Sequence, residues 1–211
     1  MSNFFKFVLA SILILAAAYY YQVNYNFRFE QISEQKVYKS ALIDPDRLEE
    51  FLIPNHIKTV INLLDPGTKD DLNPGQMEHI SSEEYAIEKI NNEHNTTIRH
   101  INIPSGQVPT AQTLEKFFAI LDNNDSYPIL IHCYHGTGRA AIYSALYRIE
   151  YEGFKNDEAR MLTRALPILV ESPLYKSSFA QGRSKGDFLI NYHKRNDTNS
   201  TLKSLQRSHN E

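Results

Sequence analysis

The sequence predicts an α/β fold: a central, mostly parallel sheet flanked by helices, with one apolar helix ahead of it. Two observations carry this. Short apolar runs bounded by turn residues alternate with longer segments whose apolar residues recur at i, i+3, i+4 and i+7, and strands alternating with helices build a parallel sheet covered on both faces. One junction, Ile129-Leu-Ile-His-Cys-Tyr-His-Gly-Thr-Gly-Arg-Ala-Ala141, reads as buried strand, tight glycine-bearing loop and helix N-terminus. Its loop then lies at the carboxyl end of a strand, where α/β proteins bind their ligands.

Residues 1–22 read as a membrane anchor or a cleaved signal. Lys6 is a short positive region, and residues 7–21 are apolar apart from Ser11 and the tyrosine hydroxyls. Phe4, Phe5 and the tyrosines at 19–21 extend the run toward the roughly 20 residues that a membrane span needs. Ala16, Ala17 and Ala18 offer a small-residue cleavage site,. Either way the sequence predicts a membrane-anchored or exported protein, periplasmic if the source is bacterial. Residues 23–36 read as a polar linker, 37–195 as the folded domain, and 196–211, rich in Ser and Asn, as a disordered tail,.

Within the domain, Val37-Tyr-Lys-Ser40 is a short strand. Asp44 as N-cap and Pro45 at the first helical position open a helix with Leu48, Phe51 and Leu52 on its apolar face,. Residues 56–63 carry the next strand, with Val60, Ile61 and Leu63 apolar; residues 65–76, broken by Pro66-Gly67 and Pro74-Gly75, form a loop,. Ser81 and Glu84 form a capping box for a helix ending near Asn91,. A strand over 98–103 follows. The next helix starts at Pro109-Thr110 with Leu114, Phe117, Phe118 and Leu121 as its buried stripe, and Asn123-Asn-Asp125 ends it. After the glycine-bearing loop, Ile142, Ala145, Leu146 and Ile149 mark a helix. Residues 156–166 form another, closed by Pro167, and 188–192 are helical.

The chain has 211 residues, 42% hydrophobic, enough for one domain with a core plus appendages,. A formal net charge of -3 predicts no nucleic-acid partner,. Cys133 is the sole cysteine, which excludes an intramolecular disulfide. His94, His100 and His132 are too dispersed to propose a metal site, and no cofactor motif is present.

The chemistry concentrates in residues 132–139. A glycine-bearing loop that runs into a helix N-terminus presents successive backbone N–H groups and the positive end of the helix dipole to an anion. Arg139 adds a planar fork for two phosphate oxygens,. Cys133 stands at the floor of the same cup; a thiol beside a helix N-terminus and an arginine ionises more readily than an isolated one, and the thiolate is the nucleophile.

His132-Cys133-x5-Arg139 resembles the signature loop of the cysteine-dependent phosphatases, in particular the dual-specificity and tyrosine phosphatases. With the order Val-Tyr-x-Ser, helix, Ile-Lys-Thr-Val-Ile-Asn-Leu, it resembles the bacterial, often exported, members over roughly residues 37–166. The resemblance implies a cysteine phosphatase-like fold and a phosphocysteine formed on Cys133. It also implies phosphate held by Arg139 and the amides of Tyr134, His135, Gly136, Thr137 and Gly138, with His132 in support and no metal or cofactor. The implied partner is a phosphorylated protein, or a phospholipid if the anchor sets the substrate, met by a monomer held at the membrane through residues 1–22.

Two family features are missing. The loop 104–110, where the family carries an Asp general acid, has no Asp or Glu, and Ala140 stands where a hydroxyl usually follows the arginine. His135, Asp65, Asp70, Asp71, Glu83 and Glu84 are the candidate replacements. Arg160 and Arg164 are candidates for the mouth of the site or for a solvated face, and Arg183 and Lys185 for guiding an anion or for a surface loop. Three readings stand: a protein phosphatase slowed by the missing acid, a lipid or lipid-linked phosphate phosphatase, and a phosphate-binding pseudophosphatase.

Overall fold

A computed structural model describes residues 3–67 and 76–195. The expected tail, 196–211, and the loop residues Asp70 and Asp71 lie outside the described residues. The chain divides into two compact units, residues 1–104 with 112–136, and 105–111 with 137–211.

The first unit carries a five-stranded sheet in the order β1-β2-β5-β3-β4. Its strands are β1 (Glu30–Ser33), β2 (Val37–Ser40), β3 (Thr59–Asn62), β4 (Arg99–Asn102) and β5 (Ile129–His132). All neighbours pair in parallel except β1 with β2. β5 is central, with Ser40 and Asn62 both opposite His132. Being enclosed on both faces, it reads as a continuous apolar run rather than an alternating one. Side chains alternate between faces. Tyr38, Val60 and Leu130 pack with Ala86, Ile87 and Ile90 of α3 (Gln76–His94) and with Phe51 and Leu52 of α2 (Glu49–Leu52). Ile61, Ile129 and Ile131 are buried on the other face, and α4 (Ala111–Leu121) buries Phe117, Phe118 and Leu121.

The linker expected over 23–36 holds an element of the fold. β1 pairs antiparallel with β2, Phe27 is buried edge-on to Phe51 at 5.7 Å, and Phe29 stacks on Tyr38 at 5.3 Å. β1 itself, Glu-Gln-Ile-Ser, carries a single apolar residue, and the alternation of Val23, Tyr25, Phe27 and Phe29 lies ahead of it, so the strand was not legible. The helix expected from Asp44 is split into a 3-10 turn (Pro45–Arg47) and α2, and the Asp44 side chain makes no cap bond. α3 starts at Gln76, five residues before the capping box, because Gln76, Ile80, Glu83, Ile87 and Ile90 form one buried stripe.

α1 (Asn3–Asn24) includes a segment, Phe4–Asn24, long and apolar enough to cross a membrane by length and composition. Its Ser11 hydroxyl bonds back to Phe7 O at 3.0 Å, which satisfies that polar group inside the helix.

The second unit holds α5 (Arg139–Tyr151), α6 (Asn156–Met161) and α7 (Ser184–Ile190). α5 buries Ile142, Ala145, Leu146 and Ile149, as its period predicts. α6 is shorter than expected, because Thr163 donates both its N–H (3.1 Å) and its hydroxyl (2.7 Å) to Arg160 O and closes the helix. Pro167 opens a 3-10 turn instead of ending a helix. α7 begins four residues before the expected start at Phe188. It contains Gly186, where a Cβ would come within 2.1 Å of Ala180 O.

Candidate active site

The first unit fixes the start of the 132–139 loop from two sides. On one side is α3. Its Glu83 is buried, and Oε2 accepts from Asn62 Nδ2 at 2.6 Å, His100 Nε2 at 2.9 Å and His132 Nε2 at 3.0 Å. Burial alone would raise the Glu83 carboxyl; the charge and hydrogen bonds of His132 and His100 outweigh it and hold the group well below the usual carboxylate range,. One turn earlier on α3, His79 meets the Tyr134 ring at 5.6 Å between centroids. Residues 79 and 83 share a helix face, so α3 contacts the residues on either side of Cys133.

On the other side is the β1–β2 hairpin with the chain before and after it. Leu42 N donates to Tyr134 O at 3.2 Å. Arg28 Nη1 donates to His135 O at 3.1 Å, and Lys39 Nζ to Gly136 O at 3.3 Å. Lys39 is buried and also pairs with Glu30 at 3.3 Å. Gly136 is in the left-handed region, φ +69°, and a Cβ there would run into the Ser40 and Ala41 backbone. Only glycine adopts that conformation without strain.

The second unit carries the rest of the motif. Arg164 Nη1 donates to Thr137 O at 3.0 Å while its guanidinium lies 4.9 Å from the Phe179 ring centroid. Burial lowers its pKa. Gly138 is the N-cap of α5, and a Cβ there would come within 2.9 Å of Lys185 Nζ and 3.9 Å of Gln107 Oε1. Arg139 is buried, and its Nη1 donates to Ser105 O at 3.3 Å; the Ser105 hydroxyl bonds to Tyr143 OH at 2.9 Å. The loop without a carboxylate, which supplies Ser105 and Gln107, is thus tied directly to Arg139.

Four successive carbonyls, from Tyr134 to Thr137, therefore each accept from a donor. In a trans peptide the C=O and the following N–H point in opposite directions. The N–H groups of His135, Gly136, Thr137 and Gly138 are each turned away from the donor that holds the preceding carbonyl.

The candidate general acids fare differently. Glu83 is enclosed by its three donors, and Glu84 is exposed. Asp65 Oδ1 accepts from Gly67 N at 2.9 Å in a local turn. His135 is exposed, its ring edge-on to Tyr134 at 4.8 Å. Arg160 lines neither a mouth nor a solvated face: it is buried, bonded to Asp157, Glu171 and Phe179 O. Lys185 is buried beside Gly138 instead of lying on a surface loop, whereas Arg183 is exposed. His94 pairs with Glu49 at the surface, and it is Glu83 that His100 and His132 share. Arg28, Lys39, His79 and Gln107 were not anticipated. A lysine inside a buried four-residue strand is a signal that could have found Lys39, because a buried ammonium requires acceptors.

A cysteine-bearing loop between a central parallel strand and a helix N-terminus is the arrangement of the cysteine-dependent phosphatases, and comparison with known proteins agrees. A family model described as "DSP-PTPase phosphatase fused to NAD+ Kinase" matches residues 26–169, and the chain belongs to this family. Among solved structures, the core catalytic domain of the PP-IP phosphatase SIW14 from S. cerevisiae is similar at 16% identity and TM-score 0.54, over 84% of this chain and 92% of that one. TpbA from P. aeruginosa is similar at 18% identity and TM-score 0.51, over 78% and 84%. At these identities the likeness is one of fold. A search of curated protein sequences gave no match.

Proposed function

We propose that this protein is a phosphoric monoester hydrolase of the tyrosine and dual-specificity type, working through a phosphocysteine on Cys133. The Cys133 thiolate attacks phosphorus and the bond to the leaving oxygen breaks. Water then attacks the S–P bond, releasing phosphate and restoring the thiolate. Arg139 and the amides of residues 134–138 hold the non-bridging oxygens, so the route calls for no metal or cofactor. The observation that carries this reading is the set of four donors on the Tyr134, His135, Gly136 and Thr137 carbonyls. They turn the following N–H groups as an anion cradle requires.

The substrate we favour is a phosphorylated protein side chain, met by a monomer that α1 anchors to, or delivers across, a membrane. A lipid or lipid-linked phosphate is the second reading, and the apolar helix at Phe4–Asn24 favours it, because a membrane-held domain works beside headgroups. Turnover of an aryl phosphate by the full chain, abolished by Cys133→Ser, tests the reaction. Turnover that survives Cys133→Ser overturns it, and binding of phosphate without turnover leaves only a pseudophosphatase. Comparing a phosphotyrosine peptide with a phospholipid in vesicles then separates the two substrate classes.

A further inference from the structure

Glu83 is the most deeply buried acid near the motif, and the reaction proposed above gives it no part. It lies on α3 and binds through one oxygen to side chains of three adjacent parallel strands: Asn62 of β3, His100 of β4 and His132 of β5. Asn62 is itself fixed, accepting from Leu64 N at 2.8 Å through Oδ1, and Asn102 Nδ2 bonds Leu64 O at 2.9 Å. For both imidazoles to donate to one carboxylate, each carries a proton on Nε2. His132 Nδ1 is buried with no partner among the described residues, so the contact to Glu83 is the only side-chain bond that orients this ring. The backbone of His132 continues directly into Cys133.

We propose that Glu83 is a positioning residue for Cys133: it sets the His132 ring, and through it the entry of the chain into the anion-binding loop, while His100 and Asn62 hold the carboxylate in place. The proposal rests on the reading of Cys133 as nucleophile, but it can be tested without turnover. Other titratable groups on the elements around the cluster include His79 on α3, Arg99 on β4, Lys39 on β2 with its partner Glu30, and Asp65 just after β3, while Glu84, Tyr85 and Glu88 of α3 are exposed. All of them are retained in the variants below.

Two roles for Glu83 predict opposite signs. If the carboxylate acted only through its charge, replacing it with a neutral group would remove a negative charge near the thiolate, and Cys133 would become more reactive at low pH. If it positions the loop, the same replacement disturbs the amides and helix N-terminus that stabilise the thiolate, and Cys133 becomes less reactive. Cys133 is the only cysteine in the chain, so iodoacetamide reports on it alone.

The experiment measures alkylation of the full chain between pH 5 and 9 for wild type and Glu83→Gln, with kcat and KM on an aryl phosphate alongside. The expected result is slower alkylation of Glu83→Gln at pH 6, with the profile displaced to higher pH. Turnover should fall by about 10–100-fold, the usual cost of removing a partner that orients a reacting group, mainly in kcat. An unchanged or faster alkylation profile overturns the proposal. Should Glu83→Gln not be recovered folded, His100→Gln decides. It loosens the carboxylate without removing it and should slow alkylation at pH 6 by about 3-fold or more, whereas a wild-type rate overturns the proposal. If wild type turns nothing over but its alkylation still responds to Glu83→Gln, the hydrolase reading fails and the positioning role stands.

Discussion

Gly136→Ala tests whether the first half of the loop is held as described. Gly136 has φ +69°, and a Cβ there would lie 2.6 Å from Ala41 N, 2.8 Å from Ser40 C and 2.8 Å from Ser40 O. All three are backbone atoms, in a segment fixed by Ala41 N to Phe27 O at 2.7 Å and Leu42 N to Tyr134 O at 3.2 Å. Relief therefore requires moving β2 or the loop. The left-handed conformation costs a non-glycine residue about 1–2 kcal/mol, and forcing an extra carbon into packed structure costs about 1–3 kcal/mol more. Gly153 is the control: φ +76°, with no atom within 4 Å of an added Cβ, so Gly153→Ala should carry the conformational cost of about 1–2 kcal/mol alone. For a chain of this size about 1 kcal/mol moves Tm by roughly 2–4 °C. Scanning calorimetry of the full chain in mild detergent should place Gly136→Ala several degrees below Gly153→Ala. It should also show the stabilisation of wild type by phosphate weakened in Gly136→Ala and kept in Gly153→Ala. Equal Tm values, to within about 1 °C, would refute the close approach of the loop to β2.

Hydrolysis should depend steeply on the leaving group, because the loop tied to Arg139 through Ser105 carries no carboxylic acid to protonate the departing oxygen. General acid catalysis supplies about 10²–10⁴-fold, so kcat/KM across aryl phosphates of graded leaving-group acidity should fall strongly as the leaving group becomes more basic. A flat dependence with an acidic limb lost on Asp65→Asn would mean that Asp65 has taken the role. Stability should also fall in acid through Glu83. Its folded-state pKa is depressed, so its contribution is present above the ordinary glutamate value of about 4.3 and lost as pH falls below it,. The Tm of wild type should drop over that range more than that of Glu83→Gln, and parallel curves would show that the carboxylate is not held by the imidazoles.

What the sequence made legible was local. The apolar run at 129–131, the two loop glycines and the period of residues 142–149 each act within a few residues, and they placed β5, the loop and α5 where the structure has them. The limits of α3 and α6 were set instead by tertiary contacts: a buried stripe reaching back to Gln76, and a threonine that caps Arg160 O. β1 escaped notice because it is an edge strand with one buried residue, Ile32, so alternation had too little to show. Glu83, His100 and His132 were all visible, yet nothing local says that positions 17 and 49 residues away from Glu83 meet on one of its oxygens. Their meeting follows from the strand order, in which β3 lies between β5 and β4.

A loop whose N–H groups face an anion also needs donors for its carbonyls. Turning several consecutive N–H groups toward an anion turns their carbonyls away from it, and a buried carbonyl left without a donor costs about 1–3 kcal/mol. Here the donors are one backbone amide and three cations, Arg28, Lys39 and Arg164, drawn from positions distant in sequence. A lysine inside β2 looks misplaced in a strand whose four residues are all buried. Its place becomes intelligible once Gly136 O is recognised as its acceptor, with Glu30 as the counter-charge. A cation that donates to a carbonyl also adds positive potential, which a neutral donor does not. A neutral donor such as glutamine at position 39 could satisfy the carbonyl but not supply that field. Carbonyl satisfaction and anion attraction are thus two separable contributions of one side chain.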